Sequence, residues 1–102
     1  MYIYNVTIKI ENSIQDAWLA WMQETHIPEV LATGKFQDAR FSQLVEPITE
    51  GDDGYTFVVQ YFADTYEDYT SYIDEHAPIL RDKGFKEFGN QFIAFRSLLK
   101  SL

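Results

Sequence analysis

The sequence predicts an α+β fold in which a strand–helix–strand unit occurs twice, giving one four-stranded antiparallel sheet with two helices on one of its faces. Three observations carry this expectation. The first ten residues alternate apolar and polar side chains. Two later stretches show helical spacing of apolar residues, each running into a His-x-Pro step. The halves also align at an offset of about fifty residues, "HIPEVLATGKF" (His26 to Phe36) being answered by "HAPILRDKGF" (His76 to Phe85).

In the first strand Tyr2, Tyr4, Val6, Ile8 and Ile10 alternate with Ile3, Asn5, Thr7 and Lys9, the period of a strand with one dry face. "ENS" breaks the pattern, Ser13 offers a helix cap, and Asp16 puts a carboxylate in the first turn. Ile14, Ala17, Trp18, Trp21, Met22 and Thr25 then recur at helical spacing, so a helix is expected from about Ile14 to His26. Pro28 has no amide donor and disfavours helical backbone at Ile27, so the helix should end or kink there, with a further turn starting on the proline.

Gly34 supplies the positive φ that closes that turn, and "FQDARFSQLV" reads as the second strand. "EPITEGDDGY" is dense in turn residues and predicts a hairpin connection. In the third strand Tyr55, Phe57, Val59, Tyr61 and Ala63 share one face, with Thr56, Val58, Gln60 and Phe62 on the other. Asp64 or Thr65 can cap a second helix lined by Tyr66, Tyr69, Ile73, His76, Ala77 and Leu80. Pro78 should interrupt it and Gly84 should end it, leaving "FKEFGN" as a connector to the last strand, "QFIAFRSLL". Residues 1–102 are expected to form a single domain.

Composition narrows the function. Sixteen acidic against eight basic residues give a formal charge of −8, so the average field repels phosphate backbones and anionic lipid surfaces, and neither nucleic acid nor a membrane is an expected partner. The absence of cysteine excludes disulfides and thiol chemistry and suits a reducing compartment. The alternating N-terminus is unlike a signal peptide, so a cytoplasmic location is expected. Seventeen aromatic residues, eight Phe, seven Tyr and two Trp, exceed what one small core layer needs and point to an interface or a ligand cleft.

The face of the sheet away from the helices should carry Ile3, Asn5, Thr7, Lys9, Arg40, Ser42, Leu44, Val58, Gln60 and Phe62, with Arg96 or Phe95 from the last strand. It is too apolar for a solvated face and too polar for a monomer's core, which suits a homodimer packed through that face. Lys9, Arg40 and Arg96 would then point inward, either paired with carboxylates such as Glu46 or forming a small-anion pocket.

"YNVTIKI", "WLAWMQETHIPEVLATGKF", "VVQYFA" and "FGNQFIAFRSLL" together resemble the small bacterial proteins grouped as domain of unknown function family 4286, over nearly the whole chain. The resemblance implies a ferredoxin-like βαββαβ unit that dimerises into an α/β barrel, and it implies no activity. The wider dimeric α/β-barrel group includes cofactor-independent monooxygenases, isomerases and haem-degrading oxygenases, whose cleft lies between helices and sheet. The haem-degrading members use an Asn on the first strand with a Trp and a His on the second helix. Here Asn5 and His76 occupy comparable elements, but the second helix offers Tyr66, Tyr69 and Tyr72 in place of a Trp. No cofactor is expected.

The candidate chemistry centres on the two histidines, His26 and His76. His26 is expected at a helix C-terminus, either bonding a free carbonyl or serving as a general base at the mouth of a cleft lined by Trp18, Trp21 and Met22. His76 has the same choice among tyrosines. Asn5 and Arg40 complete the candidate ligand-binding set. The two histidines should sit near opposite ends of antiparallel helices, and "EGDDG" lacks the spaced acidic ligands of a calcium loop, so no metal is expected. The residues support a scaffold or a small-ligand-binding module, with a cofactor-independent monooxygenase- or isomerase-like enzyme acting on a small hydrophobic or aromatic substrate as the alternative.

Overall fold

An alternating strand packs one face and leaves the other open, and β1 (Tyr2–Glu11) does so as an inner strand of the sheet in the computed structural model, which describes residues 1–48 and 54–102. The sheet order is β2-β3-β1-β4, with β2 at Asp38–Gln43, β3 at Gly54–Ala63 and β4 at Phe92–Lys100. Every neighbouring pair is antiparallel. The hairpin turn predicted between β2 and β3 falls largely on residues 49–53, outside the described residues. Each helical arm connects strands that have another strand between them, the topology of two interleaved split βαβ units.

The register puts Tyr4 opposite Tyr61, Val6 opposite Val59 and Ile8 opposite Phe57. All six are buried beneath the helices with Ile10, Ala63, Trp18, Met22, Val30 and Tyr72. Trp18 packs its ring against Phe41 and Phe57 at centroid distances of 5.7 and 5.1 Å. Tyr4, Phe36, Tyr61 and Tyr72 form a second aromatic cluster, with centroids 4.9 to 6.0 Å apart. Much of the aromatic surplus is therefore core, and a fully buried aromatic side chain of this kind contributes on the order of 3 kcal/mol.

The first helical arm departs from expectation at Pro28. A 3₁₀ turn (Asn12–Ile14) leads into α1 (Gln15–Trp21), a π-helical turn over Met22–His26, and α2 (Ile27–Ala32). The chain stays helical through the proline. The Ile27 amide donates to the Met22 carbonyl, five residues back, so the wider turn absorbs the residue whose ring and missing donor would break an α-helix. Pro28 then occupies the first turn of α2, where no amide is needed. Gly34, at φ 78°, closes the arm as predicted.

The second arm bends where the first does not. α3 (Tyr66–Glu75) is capped by Thr65, whose hydroxyl accepts from the Asp68 amide at 3.0 Å. It ends at His76, and α4 (Ala77–Phe88) starts again with Pro78 in its first turn. Gly84 does not end this segment, and "FKEFGN" is not a connector: α4 runs on to Phe88, and Gly89, at φ 60°, follows it. Gly84 is helical for a packing reason. A Cβ there would lie 3.3 Å from Cη2 of Trp21 on the neighbouring arm. The arms run antiparallel, tied by the Trp21–Phe88 ring contact at one end and a 3.0 Å Lys83–Glu29 ion pair further along.

The other sheet face is left open. Register groups Arg40, Gln60, Asn5 and Ser97 into one polar cross-strand row, flanked by a row with Val58, Thr7 and Phe95 and one with Phe62, Ile3 and Leu99. Phe95 is 63 % exposed and Ile93 54 %. The sequence had left Phe95 and Arg96 as alternatives for this face. The structure gives it Phe95, because Arg96 pairs with Val6 and so shares the helix-facing side.

Candidate functional site

Between the helical arms and the β1–β4 side of the sheet lies a cavity of about 70 Å³. That is room for roughly five water-sized groups. Tyr4, Val6 and Ile8 form its floor, Trp18, Trp21, Met22 and His26 one wall, and Leu80, Arg81 and Gly84 the other, with Phe92, Ala94 and Arg96 along the edge strand.

The π turn sets the wall's geometry. Met22 and His26 bound it and both line the cavity, while Trp21 stacks on His26 with ring centroids 4.8 Å apart and planes 21° from parallel. His26 is not at a helix end, since α2 continues to Ala32, so the expected role of bonding a terminal carbonyl is replaced by stacking inside the cleft. Burial holds its pKa down at about 4, with the Glu29 carboxylate opposing that effect and the Arg96 guanidinium reinforcing it. The imidazole is therefore neutral near pH 7 and offers one donor and one acceptor nitrogen. Burial likewise pushes the Tyr61 and Tyr72 hydroxyls well above the ordinary phenol range, so both remain proton donors.

Two arginines supply the site's charge. Arg81 donates to the Tyr4 hydroxyl at 2.9 Å, which fixes its guanidinium over the β1 floor. Arg96 reaches the cavity from the edge strand. Neither was among the residues expected in this cleft; Arg96 was expected with Lys9 and Arg40 in the dimer interior, and its pairing with Val6 puts it on the opposite side of the sheet. Arg81 follows Leu80 in a segment expected to be ending. The two phases of "FIAFRSLL" are equally apolar, so nothing local placed Arg96. The signal that places it is the β1–β4 register, which puts it opposite a core valine.

Of the expected ligand-binding residues, Trp18, Trp21, Met22 and His26 come together in the cavity. Asn5 and Arg40 do not join them. Both pair with Gln60 on the open face, because odd positions of β1 point away from the helices, so they cannot share this cleft. Asn5 instead donates to the Thr7 hydroxyl at 3.4 Å. His76 is also outside the cavity. It stacks on Tyr72 at 6.2 Å, lies 3.9 Å from the Glu75 carboxylate, and borders a shallow outer groove with Glu29, Thr33 and Lys83. Among the described residues, no three His, Asp or Glu side chains cluster as metal ligands would. No helix among them is long and apolar enough to cross a membrane.

Comparison with solved structures places the fold among ferredoxin-like proteins. The chain is similar to an ethyl tert-butyl ether D (EthD) family protein from Bacillus halodurans, with a TM-score of 0.67 and 12 % identity over all of both chains. It is similar to a dimeric ferredoxin-like protein from an uncultured marine organism, with a TM-score of 0.70 and 7 % identity over 99 % of this chain and 95 % of that one. An Arabidopsis thaliana protein matches with a TM-score of 0.66 and 13 % identity over 98 % and 97 %. At these identities the likeness is one of fold. No curated protein matches the sequence. The family model described as a domain of unknown function, DUF4286, matches residues 1–102, and the chain belongs to that family.

Proposed function

We propose that the protein is a homodimeric small-ligand-binding module, with its ligand held between helices and sheet and its open sheet face packed on a second copy. The cavity carries the reading: an apolar, aromatic-walled space with a neutral imidazole and two guanidiniums at its boundary. Asn5 and Arg40 belong, in this reading, to the dimer interior. The open face supports the dimer, since Phe95, Ile93 and Leu99 are exposed on it around a polar row. Four strands spaced ~4.8 Å apart and up to ten residues long present on the order of 600 Å² in projection, close to the ~800 Å² a standard interface takes from each partner. The similar protein from the marine organism is described as dimeric. A cytoplasmic setting accompanies this reading, supported by the acidic, cysteine-free composition.

One observation favours a second reading. An imidazole kept neutral inside an apolar cleft is a ready proton acceptor, which suits a cofactor-independent monooxygenase- or isomerase-like enzyme acting on a small aromatic or hydrophobic substrate. Native mass spectrometry of protein purified from cells tests the primary reading. A dimer of twice 11.9 kDa carrying a reproducible small adduct is expected. A bare dimer that no small molecule stabilises on heating would favour a plain scaffold instead.

A further inference from the structure

We propose that the cavity selects a short aliphatic monocarboxylate, its chain lying among Trp18, Trp21 and Phe92 and its carboxylate meeting Arg81 and Arg96. The proposal rests on the cavity being a ligand site and adds the charge and shape of what fits there. Charge comes first. The chain has twice as many acidic as basic residues and only three arginines, yet two of the three line this cavity and no aspartate or glutamate does. In a chain with such an excess of carboxylates, solvated arginines readily find acidic partners. Among the described residues, neither Arg81 nor Arg96 is in an ion pair. The partner that Arg81 holds is the Tyr4 hydroxyl and not a carboxylate, so the bond fixes the guanidinium without pairing it to an acidic side chain.

Both guanidiniums line the same cavity, and both act electrostatically on the Tyr72 hydroxyl, as Arg96 does on His26. A planar guanidinium fork matches the two oxygens of a carboxylate. The rest of the wall is aromatic and aliphatic, which leaves polar groups elsewhere on a ligand without partners and favours a short apolar body. Size limits that body: the cavity is about 70 Å³, under half of the ~150 Å³ that encloses a benzene ring, so it takes about five non-hydrogen atoms and excludes an aromatic acid, a nucleotide or a lipid chain.

Propionate and propionamide, nearly identical in shape and different in charge, test this by the fluorescence of the two tryptophans. Wild-type protein is expected to bind propionate about tenfold or more tightly than propionamide at low ionic strength. Arg96→Gln, a change on an exposed edge-strand residue, leaves Arg81 in place and should cut that preference several-fold. Equal affinities in the wild type would overturn the anion selectivity while leaving the cavity a binding site. A preference undiminished by Arg96→Gln would overturn the assignment to that guanidinium. Failure of both probes to bind at millimolar concentration would overturn the ligand-binding reading itself, and this proposal with it.

Discussion

Replacing His26 with Gln removes a titrating group from the wall of the cavity, and the consequence is a change in how stability depends on pH. In the unfolded chain the imidazole takes up its proton near pH 6.5, whereas in the folded chain burial, reinforced by Arg96 and opposed by Glu29, delays protonation to about pH 4. The unfolded state therefore binds more protons between these values, and stability falls as pH falls through that window. The contribution is fully present above pH 6.5 and fully lost below about 4. At about 1.4 kcal/mol for each tenfold change in acidity, the whole effect is about 3 kcal/mol. About 2 kcal/mol of it should be lost between pH 7 and pH 4.5. Urea unfolding of both proteins at those two pH values, at one fixed protein concentration because a dimer's stability depends on it, isolates the term as the difference between their pH slopes. The wild type should lose about 2 kcal/mol more than His26→Gln. Equal losses would show that His26 is not held neutral by its surroundings.

Gly84→Ala gains helix propensity worth about 1 kcal/mol but puts a methyl group 3.3 Å from Trp21 Cη2. The expected outcome is a melting temperature changed by only a few degrees, an altered tryptophan emission, and weakened binding of any ligand that enters the cavity. Unchanged emission would mean that the helical arms are not as closely apposed as the structure has them. Phe95→Glu places a charge on the open face, where the wild-type ring is 63 % exposed in the single chain. Sedimentation should then report a folded 11.9 kDa monomer, and an intact dimer would refute packing through that face.

The fold was most legible where one face of an element is dry and the other is not. β1 and β3 alternate in burial because the helices cover one face of the sheet and leave the other open, and their alternation fixes which side is covered. β4 alternates less informatively: as an edge strand it meets the cavity on one side and an exposed apolar face on the other, so both phases look alike. The repeated His-x-Pro and glycine pattern was a true sign of duplication, but it conceals two local solutions. At Pro28 a π turn carries the helix through, and at Pro78 the helix breaks and restarts. Gly34 ends an arm through its positive φ, whereas Gly84 serves the close approach of Trp21, a contact fifty or more residues distant in sequence that no local rule contains.

The same division holds at the site. Trp18, Trp21, Met22 and His26 were found because they share one helical stripe, and a stripe is a local property. Arg81 and Arg96 were not, because each reaches the cavity from a different element and only the packing of α4 beside the edge strand brings them together. Asn5 and Arg40 were grouped with the cleft residues although the parity of β1 and the register of β2 put them across the sheet.

The two tryptophans, Trp18 and Trp21, both line the cavity, so their indole N–H signals report on its occupancy with no other tryptophan to interfere. Titrating isotopically labelled protein with propionate while following those two signals by NMR tests most directly whether the cavity is a ligand site. The account predicts that both move along saturable curves with a shared midpoint. Two signals that stay still, or that drift linearly without saturation, would contradict it.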